Sequence, residues 1–189
     1  TSELVAGAIY RALERSGLPA GVFSMVHGGT EPGVRLVHHP AIQGAGFTGS
    51  LRGGMALWRI AMEREVPIPF FAEMGSINPV TVFPAALAAR GTAIAEGYVQ
   101  SLTLGVGQFC TNPGVLVVQA GEGLDAFLAS LANAAKSVAA GTMLTPGILA
   151  AYQAAAEHLA RHPKVQLLTA SAEGAAPQLV RVSAADFVA

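Results

Sequence analysis

The feature that most constrains the fold is an alternation of short apolar runs with longer segments of helical periodicity. Each apolar run is bounded by turn residues, as buried strands of a parallel sheet commonly are. The predicted strands are 21–26, 42–47, 67–74, 80–83, 115–118, 165–169 and 178–183, and the predicted helices are 2–16, 32–38, 51–64, 85–104, 124–138 and 146–162. This alternation indicates an α/β fold with a largely parallel sheet and right-handed crossover connections.

A turn-rich segment between the third and fourth predicted strands predicts a domain boundary. It is Gly75-Ser76-Ile77-Asn78-Pro79, in which Asn78-Pro79 is expected to fix the turn between domains. We therefore predict two partial domains, 1–75 and 76–189.

Composition excludes several classes of function. The chain is 52% hydrophobic and only 12% charged, against roughly 25% charged residues in an average soluble domain, which favours self-association into a homo-oligomer. A net charge of -1 without a Lys/Arg cluster argues against nucleic acid and anionic lipid. Because glycine, proline or charge interrupts every apolar run, we also expect no membrane-spanning segment.

The single cysteine, Cys110, cannot form an internal disulfide, and no targeting signal precedes the first helix. We infer a reducing, cytoplasmic setting. The chain starts without methionine, and we expect it to be part of a longer polypeptide.

Three loops contain residue types that catalysis uses. They are Phe47-Thr48-Gly49-Ser50, the segment from Glu73 to Pro79, and Gly107-Gln108-Phe109-Cys110. Taken alone, each has an ordinary structural interpretation. The first can be a capped turn instead of a phosphate site, Glu73 a surface carboxylate instead of a base, and Cys110 a buried, inert thiol instead of a nucleophile.

In this order and spacing, the three loops resemble the aldehyde dehydrogenase superfamily. That family shows F-T-G-S at its cofactor turn, E-L-G-G-x-x-P around a glutamate, and G-Q-x-C at its nucleophile. The resemblance extends over essentially all 189 residues. The spellings Glu-Met-Gly-Ser-Ile-Asn-Pro and Gly-Gln-Phe-Cys-Thr-Asn-Pro-Gly are similar to one branch, which contains the α-ketoglutaric semialdehyde (2,5-dioxovalerate) dehydrogenases and the NADP-dependent fatty aldehyde dehydrogenases.

The resemblance implies an NAD(P)-dependent oxidation of a small aldehyde, such as α-ketoglutaric semialdehyde, to a carboxylate. Cys110 would be the nucleophile that forms a thiohemiacetal and then a thioester, and its backbone N–H would face the oxyanion. Glu73 would be the general base that activates water, in surroundings that the apolar Phe70, Phe71 and Met74 would desolvate.

The resemblance also implies a cofactor site for NADP or NAD. Ser50 would contact the pyrophosphate and Gly49 would let the backbone approach it, whereas the Met74 carbonyl would meet the nicotinamide amide. Gly33 would lie in a loop that passes near the cofactor. The domains would then be the later part of a Rossmann-like cofactor domain and the first part of an α/β catalytic domain.

Two family motifs have no counterpart in this sequence. They are the Trp-Asn segment whose asparagine completes the oxyanion hole, and the E-x-F-G-P segment whose glutamate holds the nicotinamide ribose. We therefore expect the 189 residues alone to be nearly inactive, since one oxyanion donor is commonly worth roughly 10²–10³ in rate. The five histidines show no spacing typical of metal ligands, so no metal site is predicted.

Two alternatives stay open. The first is a thiol hydrolase or acyltransferase that uses Cys110 and Glu73 without a cofactor. The second is a non-catalytic structural module in which the cysteine is part of the core.

Overall fold

The computed structural model of the protein describes residues 1–169 and 174–188. Its internal contacts divide the chain into two compact units, Thr1–Gly75 and Ser76–Ala189, with the boundary in the turn-rich segment 75–79. That the first unit binds a dinucleotide and the second carries the nucleophile stays a prediction.

The first unit contains three helices and one pair of parallel strands. Its elements in chain order are α1 (Ser2–Arg15), α2 (Thr30–His38), β1 (Ala45–Gly49), α3 (Leu51–Glu63) and β2 (Phe70–Met74). The two strands pair from Ala45 opposite Phe70 to Gly49 opposite Met74. Because α3 connects two parallel neighbours, the segment 45–74 is a βαβ unit, as the alternation predicts.

A small core holds the first unit together. Val37 of α2, Ala61 of α3 and Ile68, which precedes β2, form one buried cluster. The Arg64 guanidinium follows α3 and donates to the Val37 carbonyl at 2.8 Å, which joins the ends of α2 and α3.

The strand predicted at 21–26 is not formed, and that prediction is wrong. A strand needs a neighbouring strand for its backbone hydrogen bonds, and this segment pairs with none among the described residues. Instead, the Met25 N–H donates to the Tyr10 hydroxyl at 3.2 Å, and the rings of Tyr10 and Phe23 meet edge to face at 5.3 Å. The apolar run therefore packs partly on α1, with Val22 and Val26 exposed.

The second unit contains more helix. Its elements are β3 (Val80–Val82), α4 (Pro84–Thr103), β4 (Leu116–Val118), α5 (Leu124–Lys136), α6 (Pro146–Ala160), β5 (Gln166–Leu167), β6 (Val180–Arg181) and α7 (Ala184–Phe187). Strands β3 and β4 are parallel, whereas β5 and β6 are antiparallel. The antiparallel pair departs from the expected, largely parallel arrangement. The fold is α/β, as predicted, but the described strands form separate pairs.

Helices α4 and α5 bury the main core of the second unit. Phe127 of α5 is 2% exposed and is the largest fully buried side chain among the described residues. It lies in a cluster with Val82, Leu87, Ala95, Tyr98, Val99, Leu131 and Ala135. The buried positions of α4 recur at helical spacing, so the sequence pattern itself directs this face inward. Burial also raises the pKa of the Tyr98 phenol above its ordinary value.

Helix α4 is kinked rather than straight. Arg90 has φ of -152° and ψ of 30°, and Gly91 follows it. No helix of the described residues is both long and apolar enough to cross a membrane.

Candidate active site

Cys110 lies in an exposed loop that follows the C-terminal end of α4. A 3₁₀ turn, Leu104–Gly107, leads into the loop, and within it Gly105, Val106 and Gly107 have φ of 58°, 59° and 73°. Left-handed backbone is easy for glycine but costs a residue such as valine roughly 1–2 kcal/mol, because its Cβ crowds the following carbonyl. Cys110 itself is exposed in this chain, which disfavours the alternative of a buried, inert cysteine.

Two side-chain amides hold this loop in place. Gln108 donates from Nε2 to the Gly105 carbonyl at 2.9 Å and accepts from the Leu144 N–H at 2.9 Å. Asn112 donates from Nδ2 to the Leu102 carbonyl in α4, also at 2.9 Å. The loop is therefore tied to the end of α4 and to the segment before α6, and both bonding residues belong to the sequence motif around Cys110.

Two further side chains converge on the cysteine itself. Ser76 Oγ and Asn78 Nδ2 each donate to the Cys110 carbonyl oxygen at 2.8 Å. The sequence predicts a role in a turn for Asn78 and no role for Ser76. The residues were missed because 34 and 32 positions separate them from Cys110, and local patterns carry no information on contacts at that distance.

The Cys110 backbone N–H is free for the role expected of it. No residue in the described ranges accepts a hydrogen bond from it. A backbone N–H beside a thiol that has no acceptor within the chain can donate to an oxygen that gains negative charge, which is the function of an oxyanion hole.

In the first unit, the ends of β1 and β2 bring four of the predicted site residues together. The parallel register places Thr48 opposite Glu73 and Gly49 opposite Met74, with Ser50 following at once. Ligands in open α/β sheets bind outside the carboxyl ends of the strands, which is this edge. Glu73 is exposed, so the desolvation expected from Phe70, Phe71 and Met74 is not seen within this unit.

Ser50 is the N-cap of α3, and its hydroxyl accepts from the Gly53 N–H at 3.1 Å. The first two N–H groups of the helix, those of Leu51 and Arg52, donate to no described residue. Free N–H groups and the positive end of the helix dipole make this a suitable place for a phosphate. The capping interpretation is therefore established, and it leaves room for the predicted phosphate role.

Glycine gives close side-chain packing where α3 approaches the strands. A Cβ added at Gly54 would lie 2.6 Å from Met74 Sδ, and one added at Gly49 would lie 2.7 Å from the Phe47 ring. Gly49 thus has a packing role inside the unit as well as the predicted cofactor role.

Gly33 does not lie in the loop where the resemblance implied it. It is inside α2, and a Cβ added there would meet no atom within 4 Å. The loop prediction is wrong because the helix begins at Thr30, before the glycine, and a helical glycine without close neighbours has no structural need to be glycine.

A cavity of about 550 Å³ lies behind the cysteine loop in the second unit. Its wall is mainly apolar and includes Val106, Met143 and Tyr152. The Tyr152 hydroxyl donates to the Ala176 carbonyl at 2.5 Å, and burial raises the pKa of this tyrosine, a rise that a hydrogen bond from the Gln178 backbone partly offsets. Within residues 1–169 and 174–188, no three His, Cys, Asp or Glu side chains are grouped to hold a metal.

The comparisons with known proteins identify the family. Residues 1–180 match the aldehyde dehydrogenase family, and the chain belongs to it, which confirms the resemblance. The chain is 57% identical over 167 residues to α-ketoglutaric semialdehyde dehydrogenase 2 of Azospirillum brasilense, with 88% of this chain and 32% of the relative covered. It is 45% identical over 180 residues to α-ketoglutaric semialdehyde dehydrogenase of Acinetobacter baylyi, with 95% and 34% covered.

A solved structure agrees with both. The NAD-dependent aldehyde dehydrogenase from Sinorhizobium meliloti is 28% identical and has a TM-score of 0.67, with 82% of this chain and 32% of that chain covered. The chain therefore spans about a third of the length of these three proteins.

Proposed function

We propose that the full-length protein carrying this sequence oxidises α-ketoglutaric semialdehyde, or a related semialdehyde, to a carboxylate with NADP or NAD. The observation that carries the proposal is the exposed Cys110 thiol, which follows a turn with left-handed backbone at residues 105–107, in a chain of this family. The two relatives named as α-ketoglutaric semialdehyde dehydrogenases support the choice of substrate.

Cys110 would begin the reaction. Its thiolate sulfur attacks the aldehyde carbon, the carbonyl oxygen becomes an oxyanion, and the Cys110 N–H donates to that oxygen. An ordinary thiol is only a few per cent ionised at pH 7, so nearby N–H dipoles or a base must assist it. Sulfur is a good choice because the product of the oxidation is a thioester, which water can cleave.

Glu73 would complete the reaction. As a general base, its carboxylate takes a proton from water, and the resulting hydroxide attacks the thioester carbonyl. The C–S bond then breaks to release the Cys110 thiolate and the carboxylic acid, which loses its proton to solvent. The exposed position of Glu73 at the end of β2 leaves its carboxylate accessible to water.

The residues at the strand ends fit a dinucleotide. Ser50 and the free N–H groups that begin α3 would hold the pyrophosphate, and the Met74 carbonyl would orient the nicotinamide amide. A bound cofactor would supply the acceptor for the hydride of the thiohemiacetal. Gly33 remains part of the proposed cofactor surface only as a residue of α2.

The test is to follow the absorbance of reduced nicotinamide with the full-length protein, each cofactor, α-ketoglutaric semialdehyde and a fatty aldehyde. We expect the semialdehyde to be preferred and Cys110→Ala to abolish turnover, whereas Thr111→Ala, an exposed neighbour in the same loop, retains it. Turnover by Cys110→Ala would exclude Cys110 as the nucleophile. Ester hydrolysis without any reduced nicotinamide would favour the cofactor-independent hydrolase instead.

A second variant separates the two chemical steps. Glu73→Gln should still release about one equivalent of reduced nicotinamide per thiol in a burst and then stall, because the thioester forms but is not hydrolysed. The matched control is Glu65→Gln, another exposed glutamate of the first unit. Steady turnover by Glu73→Gln at the wild-type rate would exclude Glu73 as the base.

The proposal extends to the isolated chain and its setting. Since the relatives are about three times as long, we expect the 189 residues alone to give no reduced nicotinamide. Exposed apolar side chains such as Leu4, Phe71 and Leu144 favour a homo-oligomer, which light scattering of the full-length protein would measure. A thiol that must stay reduced favours a cytoplasmic location, which cell fractionation would check.

A further inference from the structure

Two side chains from one short segment bind the carbonyl oxygen of Cys110. It accepts hydrogen bonds from Ser76 Oγ and Asn78 Nδ2, both at 2.8 Å, and a carbonyl oxygen has two lone pairs. Both acceptor positions are therefore used by side chains from one short segment.

Backbone hydrogen bonds hold the segment that contains Ser76 and Asn78 in place. The Asn78 N–H donates to the Asn112 carbonyl at 3.3 Å, and the Val80 N–H donates to the Val115 carbonyl at 3.0 Å. These bonds continue the parallel pairing of β3 with β4 towards the cysteine loop. Ser76 and Asn78 are consequently fixed relative to the chain that leaves the loop.

The cysteine loop contains backbone strain that would favour a different conformation if the Ser76 and Asn78 hydrogen bonds were removed. Val106 is held in the left-handed region, a conformation that costs a valine free energy and that neighbouring contacts must maintain. The donors on the Cys110 carbonyl fix the peptide plane after the cysteine, and with it the direction of the Cα–Cβ bond relative to the strands.

We propose that Ser76 and Asn78 are positioning residues that aim the Cys110 side chain by holding its carbonyl oxygen. The role rests on the proposed function of Cys110 as the nucleophile. Neither residue touches the reacting atoms, and each acts through the cysteine backbone. A misplacement of about 1 Å at a reacting group can cost roughly 100-fold in rate, so the effect on turnover should be large although each bond is exposed.

The first experiment measures kcat and the KM for the cofactor with the full-length protein. We expect Ser76→Ala and Asn78→Ala each to lower kcat roughly 10-fold and the double variant roughly 100-fold, with the KM for the cofactor unchanged. Ser76→Thr keeps the hydroxyl and should restore most of the rate. The matched control is Ser137→Ala. Ser137 Oγ also donates to a backbone carbonyl, that of Ala134 at 2.7 Å, but it lies at the end of α5. Wild-type kcat in the double variant, or an equal loss in the control, would overturn the proposal.

The second experiment follows the thiol directly, so it does not depend on dehydrogenase activity. Asn78→Asp replaces a donor by a negative charge beside Cys110, which disfavours the thiolate. In the full-length protein, we expect iodoacetamide to alkylate Cys110 about threefold more slowly at pH 8. We also expect the alkylation rate to rise at a higher pH than in the wild-type protein. Asn133→Asp adds the same charge on an exposed position of α5 and should leave both unchanged.

The two outcomes separate the two proposals. The first outcome is that the wild-type protein forms no reduced nicotinamide, while Asn78→Asp slows alkylation and Asn133→Asp does not. In that case the proposed function is wrong, but the contact between Asn78 and Cys110 is supported. If the Asn78→Asp and Asn133→Asp profiles coincide, Asn78 does not act on Cys110 and the positioning role is wrong.

Discussion

The two units support their candidate site residues by different means. In the second unit, the cysteine loop follows a helix that shares a cluster of eight buried residues with α5 and β3. In the first unit, the corresponding cluster of buried residues has three members. There, α3 packs closely against the Met74 side chain of β2 at Gly54. The comparison indicates that apolar burial supports the cysteine loop, whereas close backbone approach and polar bonds shape the strand ends.

The largest expected effect tests the core of the second unit. Phe127→Ala should cost about 3–5 kcal/mol of stability, because it leaves a cavity between α4 and α5. Hydrogen exchange of the full-length protein should show faster exchange in α4 and α5 and unchanged exchange in α3. Phe187→Ala is the control, since this side chain is 65% exposed and should cost less than about 0.5 kcal/mol. Faster exchange in α3 would show that the two units do not open independently.

The next effect tests close approach in the first unit. Gly54→Ala should destabilise α3 by about 1–3 kcal/mol, because the new Cβ would overlap the Met74 side chain. Gly97→Ala in α4 should instead stabilise by about 0.5–1 kcal/mol, since its Cβ would meet no atom within 4 Å. Hydrogen exchange of the two helices measures both. If both substitutions changed helix stability in the same direction, close approach at Gly54 would not distinguish α3 from α4.

Helix caps give a smaller effect that occurs in both units. Ser50 caps α3 and Thr145 caps α6 by accepting from the Gly53 and Ile148 N–H groups, at 3.1 and 3.2 Å. Each alanine substitution should cost about 1 kcal/mol of local stability. Only Ser50→Ala should also raise the KM for NAD(P), since only that cap lies at the proposed phosphate site. An equal KM for the two variants would leave Ser50 with a capping role alone.

The smallest effect concerns pH. The Lys164 ammonium, 2.7 Å from the carboxylate, and then the Ser183 hydroxyl lower the pKa of Asp186 below its ordinary value. A carboxyl whose folded pKa is lowered stabilises the fold above its unfolded pKa, and this contribution is lost as the pH falls through the folded pKa. Lys164→Met should raise the pKa of Asp186 towards its ordinary value with little effect on stability at pH 7, because the pair is exposed.

Titration of the Asp186 carboxyl by NMR measures that shift. Lys136→Met, at the end of α5, is the matched control and should leave the pKa of Asp186 unchanged. An unchanged pKa in Lys164→Met would show that the ion pair is not formed in solution.

Much of the secondary structure was predictable from local pattern. The apolar periodicity of α4 and α5, the capping Ser50 before α3, and the prolines that begin α4 and α6 are all visible in the sequence. These features depend on residues within one or two turns of each other, and their energetics are therefore local. The segment 21–26 shows the limit, because an apolar run becomes a strand only if a partner strand is available.

For the site, the sequence by itself determined the family, the three motifs and the chemical character of Cys110, Glu73 and Ser50. Only the tertiary structure decided that Cys110 is exposed in a loop that follows a left-handed turn, and that Glu73 lies opposite Thr48 in the strand pair. It alone brought Ser76 and Asn78 to the Cys110 carbonyl across more than thirty residues. The physical reason is that residue type fixes which bonds a group can make, whereas strand pairing and burial decide which distant groups come within hydrogen-bonding distance.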